Sequence, residues 1–145
     1  MSDNEFHATY RVYIEDTDAG GVVYYVNYLK FMERGRSDFM RSLGFPKAAL
    51  INDELAIVVS SAKVDYRMSA VLDDQLIISV APIKLAKSHF IFRQCALRES
   101  SDGRLERLAE AEIKVACVNR QSGRPTRFPE NLTSAVQHYF GESTL

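Results

Sequence analysis

The change of hydrophobic period across residues 15–25 constrains this chain more than any other feature. Upstream, Phe6, Ala8, Tyr10, Val12 and Ile14 alternate with His7, Thr9, Arg11, Tyr13 and Glu15, the period of two that marks a half-buried strand. Downstream, Tyr25, Tyr28, Leu29, Met32, Gly35, Phe39 and Leu43 fall mostly three or four apart, the spacing of one helical face. Asp16-Thr17-Asp18-Ala19-Gly20-Gly21 joins the two, so carboxylates and flexible glycines stand between a strand and a helix start. The first N–H groups of a helix are unpaired within it and can point at a developing negative charge. Asp18 is expected beside that donor cluster.

The helix is expected to begin between Val23 and Asn27 and to run to Leu43, where Gly44 can take the left-handed cap and Pro46 blocks continuation. Gly35 inside it costs about 1 kcal/mol against Ala, which predicts close approach to a packed sheet. Further strands are expected over residues 56–66, 75–83, 88–99 and 105–117, rich in β-branched and alternating residues. In the last of them Leu105, Arg107, Ala109, Ala111, Ile113, Val115 and Cys117 should share one face. Ser101-Asp102-Gly103 reads as a hairpin turn, Gln121-Ser122-Gly123-Arg124-Pro125 as a later turn, and residues 131–140 as a short helix. Short connections favour antiparallel pairing. The fold class is therefore α+β, a five-stranded antiparallel sheet with one long helix. One helix covers only part of a sheet face. That predicts dimerisation which extends the sheet, buries an edge strand and sets two helices side by side.

A chain of 145 residues buries about 70% of its unfolded surface, enough for one domain spanning 1–145 without disulfide or metal. Cys95 and Cys117 are widely spaced and read as reduced, buried thiols of a cytoplasmic protein. Met1-Ser2-Asp3-Asn4-Glu5 has neither basic residues nor an apolar run, so no signal peptide is expected, and no stretch approaches a membrane span. The net charge of −1 argues against a nucleic-acid surface.

Several chemistries fail on spacing. Counted from Asp16 as a calcium loop, the twelfth position is Asn27 where a bidentate Glu is needed. His7, His89 and His138 are scattered and the cysteines unpaired, so no zinc site is expected. Neither Gly-x-Ser-x-Gly nor Gly-x-x-x-x-Gly-Lys occurs.

Tyr13-x-x-Asp16-Thr17-Asp18-x-x-Gly21-Val22-Val23-Tyr24-x-x-x-Tyr28, followed by Glu33-Arg34-x-Arg36, resembles the start of hotdog-fold acyl-CoA thioesterases of the YbgC type, relatives of the 4-hydroxybenzoyl-CoA thioesterases. The resemblance implies a curved sheet wrapped around a central helix, dimers that often pair into a homotetramer, and hydrolysis of acyl-CoA thioesters without metal or bound cofactor. It places Asp18 on the catalytic aspartate and the Tyr25 backbone N–H on the oxyanion donor. YbgC-type members typically carry His where this chain has Tyr25, whereas hydroxybenzoyl-CoA enzymes carry Tyr. The resemblance also sets Ser60, Ser61, Lys63, Lys87 and Ser88 along the CoA channel.

The chemistry agrees with that assignment. A thiolate leaves readily because its thiol pKa is near ~8.5, so one carboxylate and a set of N–H donors suffice. Asp18 would either activate a water or attack the carbonyl directly to give a mixed anhydride. Its competing role is that of a turn or capping carboxylate. Asp16 can hold the loop by accepting backbone N–H bonds, and Glu33 can orient a group or water from the helix. Arg120, Arg124 and Arg127 form a second basic cluster. Tyr24, Tyr28, Phe31 and Phe39 can line an acyl pocket or simply fill the core. Acyl-CoA, and acyl carrier protein as a second acyl donor, are the expected partners. The alternative function is a non-catalytic acyl-CoA or acyl-carrier-protein binding module of a membrane-associated assembly. A hydratase on the same fold would want a His near the helix, where Tyr25 stands.

Overall fold

The computed structural model describes residues 4–47 and 49–141; the leader reading at Met1-Ser2-Asp3 lies outside the described residues. The chain runs β1 (Phe6–Arg11), α1 (Asn27–Ser42), β2 (Leu55–Tyr66), β3 (Gln75–Leu85), β4 (His89–Glu99), β5 (Leu105–Asn119) and α2 (Glu130–Phe140). The five strands form one antiparallel sheet in the order β1-β3-β4-β5-β2. The expected strands, turns and helices are all present; the first strand stops at Arg11, short of the Ile14 to which its alternation ran, and the other ends move by one or two residues.

Of the helix face read from spacing, Tyr28, Met32, Gly35 and Phe39 are buried, Leu29 and Leu43 are half-buried and Tyr25 is exposed; with Phe31 and Met40, the buried residues meet Leu76, Ile78, Val80, Phe90, Phe92 and Ile113 of the sheet. Gly44 takes φ of +96°, the left-handed cap expected there. Helix α2 packs on the same side, its Phe140 ring 5.0 Å from that of Phe39. Gly35 marks the closest approach, since a Cβ there would sit 2.7 Å from Ile78 Cγ2. Gly35→Ala should therefore cost stability, because overpacking of ~1–3 kcal/mol exceeds a helix-propensity gain of ~1 kcal/mol. A fall of about 2–6 °C in Tm is expected, and a variant at least as stable as the parent would refute the contact.

Bulges interrupt β2 between Val59 and Ser61 and β3 between Pro82 and Lys84, and in two further places a side chain leaves the face expected of it. β5 pairs Ala96 with Ala109 but Leu97 with Arg107, leaving Leu108 as an extra residue. That bulge reverses the parity of the strand. Leu108 is fully buried and Leu105 is 45% exposed, so Leu105 and Arg107 do not share the face of Ala109–Cys117. The second departure is Ile14, expected on the buried face of the first strand and found 76% exposed. β1 ends at Arg11, and a 3-10 turn over Ile14–Asp16 rotates Ile14 outward.

β1 and β2 are the two edge strands, and Val58 through Lys63 of the longer β2 are exposed on both of its faces. A run of that length with unpaired N–H and C=O groups is a template for another strand. Cys95 and Cys117 are buried free thiols whose pKa values burial pushes up. Among the described residues no helix is long and apolar enough to cross a membrane, and no three His, Cys, Asp or Glu side chains are grouped to hold a metal ion.

Candidate active site

The connection from β1 to α1 is held as a small hairpin. Thr17 bridges Val23, Asp18 N–H donates to Val22 O at 2.9 Å, and Gly21 N–H donates to Asp18 O at 3.0 Å. Gly21 has φ of +83°, which a glycine adopts at no steric cost. The hairpin is tied to the sheet end by Val23 N–H to Ala70 O at 2.8 Å.

Asp18 is exposed at the turn, and its Oδ1 accepts the Gly20 N–H at 2.8 Å. The turn-forming role is real, and it leaves Oδ2 without a partner among the described residues. Across the hairpin, Tyr24 N–H is taken by Asp16 O at 3.0 Å and Asn27 N–H by Tyr24 O at 2.8 Å. Between them the Tyr25 N–H has no acceptor among the described residues. A carboxylate oxygen and a backbone N–H donor, neither with a partner among the described residues, thus belong to one hydrogen-bonded loop, an arrangement that suits attack on a carbonyl whose oxygen becomes negative.

The Tyr25 side chain is 58% exposed and packs against its neighbours: its ring lies 5.0 Å from that of Tyr24 and 5.8 Å, edge-on, from that of Tyr66. Tyr28 lies 5.7 Å from Tyr66 and is pinned by its hydroxyl, which accepts the Ala70 N–H at 2.9 Å. Burial, with the adjacent Tyr25 and Tyr28 hydroxyls, pushes the Tyr66 pKa up. Burial raises the Tyr28 pKa as well, so the Tyr28 and Tyr66 phenols stay protonated near neutrality. Of the aromatics considered for an acyl pocket, Tyr28 and Phe31 are core, Phe39 is core and also lines the cavity beside Glu33, and Tyr24 is exposed.

Glu33 lies farther along α1, where it accepts the Ser37 hydroxyl at 2.9 Å. With Arg36, Met40, Ile57, Phe90 and Phe92 it lines a cavity of about 120 Å³ that includes neither Asp18 nor Tyr25. Arg36 donates to Gln94 Oε1 at 2.7 Å, and burial lowers its pKa to about 10, so it remains charged at neutral pH.

The residues expected along a CoA channel stand apart from that cavity. Ser60, Ser61 and Lys63 are exposed on the β2 edge, Ser60 donating to Lys114 O at 3.3 Å, while Lys87 and Ser88 sit in the turn before β4. Ser88 O accepts the Cys117 N–H, and Tyr66 pairs with Ala109. About eight residues of β5 separate those points, roughly 27 Å at 3.4 Å per residue. Within one chain, Lys87 and Ser88 are therefore at the opposite end of the sheet from Tyr66 and the Asp18 loop. Lys84 and Lys114 flank His89 and, after partial burial, lower its pKa. Arg124 and Arg127 are exposed near the turn after β5, and Arg120 donates to Asp53 O at 3.2 Å.

Comparison with known proteins fits this geometry. The profile of the thioesterase-like superfamily matches residues 12–136. The chain belongs to the thioesterase-like superfamily. A relative named acyl-CoA thioesterase YbgC, from Haemophilus influenzae, is 38% identical over 95% of this chain and 98% of its own. A probable thioesterase from Bartonella henselae has the same fold at TM-score 0.73 and 34% identity, covering 86% of this chain and 98% of that one. A mutant 4-hydroxybenzoyl-CoA thioesterase complexed with 4-hydroxybenzoyl-CoA shares the fold alone, at TM-score 0.83 and 16% identity over 92% of this chain and 99% of that one. The expected hotdog architecture of a YbgC-type thioesterase is borne out.

Residues that sequence spacing missed also stand in this thioesterase-like loop. Asn27, 6% exposed, donates to Asp16 Oδ1, and Tyr66 reaches back to the helix start from the end of β2. An Asn at the first position of an otherwise apolar helix face was the available signal for the former.

Proposed function

We propose that this chain, read as one hotdog domain over 1–145, is an acyl-CoA thioesterase in which Asp18 supplies the reactive oxygen and the Tyr25 N–H stabilises the oxyanion. The observation that carries the reading is the free Asp18 Oδ2 in the same hydrogen-bonded loop as the unpaired Tyr25 N–H. Asp18 either takes a proton from water as its oxygen attacks the thioester carbon, or attacks that carbon itself to give an anhydride that water opens. In both routes the C–S bond breaks and the thiolate leaves with little need of an acid.

The working unit is a homodimer, or a homotetramer built from it, paired through the β2 edges. Antiparallel pairing about a two-fold axis near Ser60 and Ser61, the middle of β2, brings the Lys87 end of one sheet toward the Asp18 end of the other. That supplies the substrate-binding set Ser60, Ser61, Lys63, Lys87 and Ser88 to a neighbouring Asp18, with Glu33 and Asp16 in support. Lys84, Lys114 and His89 add positive charge for the CoA phosphates. Buried, reduced cysteines favour a cytoplasmic setting.

A bound phosphate opposes the lysine repulsion on His89 and so favours its charged form. KM for acyl-CoA should therefore fall as pH drops from 8 through the ordinary histidine range, and His89→Gln should flatten that dependence. The sign for folding is opposite: a depressed histidine pKa gives stability that is present above the usual value and lost as pH falls.

The test of function is thiol release from short, long and aromatic acyl-CoAs, run beside double-bond hydration of an enoyl-CoA. Thiol release with at least one acyl group supports the reading. Binding without release would favour the acyl-CoA or acyl-carrier-protein binding module, and hydration would favour a hydratase on the same fold.

A further inference from the structure

We propose that Asp16 and Asn27 form a latch that fixes the oxyanion donor relative to Asp18, an inference that rests on the thioesterase reading above. Asp16 is 3% exposed and Asn27 is 6% exposed. A carboxylate buried to that degree needs its oxygens partnered, and each acceptor of Asp16 grips a different part of the loop. Oδ2 accepts the Tyr13 N–H at 2.9 Å, where the chain leaves β1. The main-chain oxygen accepts the Tyr24 N–H at 3.0 Å, on the return arm of the hairpin. Oδ1 accepts Asn27 Nδ2 at 3.0 Å, at the first residue of α1.

The consequence is positional. Asp18 lies two residues beyond Asp16, and Tyr25 lies two residues before Asn27. Joining Asp16 to Asn27 closes the loop across its base and sets the distance between the reactive oxygen and the donor. Holding Tyr24 N–H on Asp16 also makes Tyr25 the first donor left for substrate. A misplacement of about 1 Å in such a constellation costs about 10²-fold in rate. Both residues are buried and their side chains are spent on hydrogen bonds within the loop, so they are positioning residues. Their types follow from the geometry: an ionised carboxylate only accepts, an amide donates without adding a second charge, and a negative group suits a helix N-terminus.

The latch makes an unusual prediction about four proteins. Asn27→Asp sets two carboxylates against each other and should lower kcat about 10²-fold while KM moves less than about threefold. Asp16→Asn alone keeps an acceptor for Tyr13 and gains a donor that Asn27 can meet by turning its amide over, so a loss of only a few-fold is expected. The double variant D16N/N27D restores a donor–acceptor pair with its sense reversed. Its kcat should return to within a few-fold of Asp16→Asn. A second readout needs no turnover: exchange of the Tyr24 amide, measured by NMR, should be about tenfold faster in Asn27→Asp and restored in the double variant. Wild-type kcat in Asn27→Asp, or no recovery of kcat and Tyr24 protection in the double variant, overturns the latch. A wild-type protein that hydrolyses no acyl-CoA overturns the functional reading instead, and Tyr24 exchange across the four proteins then decides the latch alone.

Discussion

Asp18→Asn is expected to lower kcat on acyl-CoA by about 10³-fold, within the range that a general base or covalent nucleophile contributes. That corresponds to roughly 4 kcal/mol of barrier at 1.36 kcal/mol per decade. The substitution is chosen for what it keeps. The Asn side-chain oxygen can still accept the Gly20 N–H that Asp18 Oδ1 now accepts at 2.8 Å, so the hairpin that presents the residue should persist. Acyl-CoA binding should survive, since the basic and serine groups assigned to CoA lie elsewhere. Asp18→Ala removes the turn bond as well and should show the same loss of turnover with lower Tm. A folded Asp18→Asn protein with wild-type kcat would remove Asp18 from the mechanism.

The second large effect concerns the edge of the sheet. If β2 pairs with its copy about an axis near Ser60 and Ser61, Val59 of one copy faces Ala62 of the other. Val59→Lys with Ala62→Lys sets lysines opposite one another across that axis, and like charges directly opposite are destabilising. Both side chains are exposed in the single chain, so the change should leave the β2–β5 ladder intact. Sedimentation should show monomers, and activity should fall by two orders of magnitude or more because Asp18 loses the facing Lys87 end, a positioning loss of about 10²-fold. An active monomer would refute the shared site. An unchanged oligomer would move the interface away from β2.

Much of this was legible from periodicity. The strand-to-helix switch located the Asp18 loop, and a helical glycine at 35 announced the close approach to Ile78. Two side-chain placements were not legible, each for a physical reason. Leu108 reverses the face of Leu105 and Arg107 because β5 carries one more residue than β4 at that point, and a bulge leaves no mark in local alternation. Ile14 continues the strand pattern in sequence yet turns outward, because Asp16 caps Tyr13 and curls the backbone. The site shows the same division. Asp18 was readable from its motif, whereas Asn27 and Tyr66 join it only through contacts that folding creates. The separation of roughly 27 Å along β5 between the two ends of the sheet is likewise a property of topology, and it is the reason for proposing a second subunit.

The most direct test is a single turnover with purified wild-type enzyme in excess over one acyl-CoA, following free thiol and remaining thioester together. The account predicts that every acyl-CoA bound yields one CoA thiol and one free acid, in an exponential whose rate collapses in Asp18→Asn. Acyl-CoA that binds and is recovered intact, across short, long and aromatic acyl groups, would contradict it.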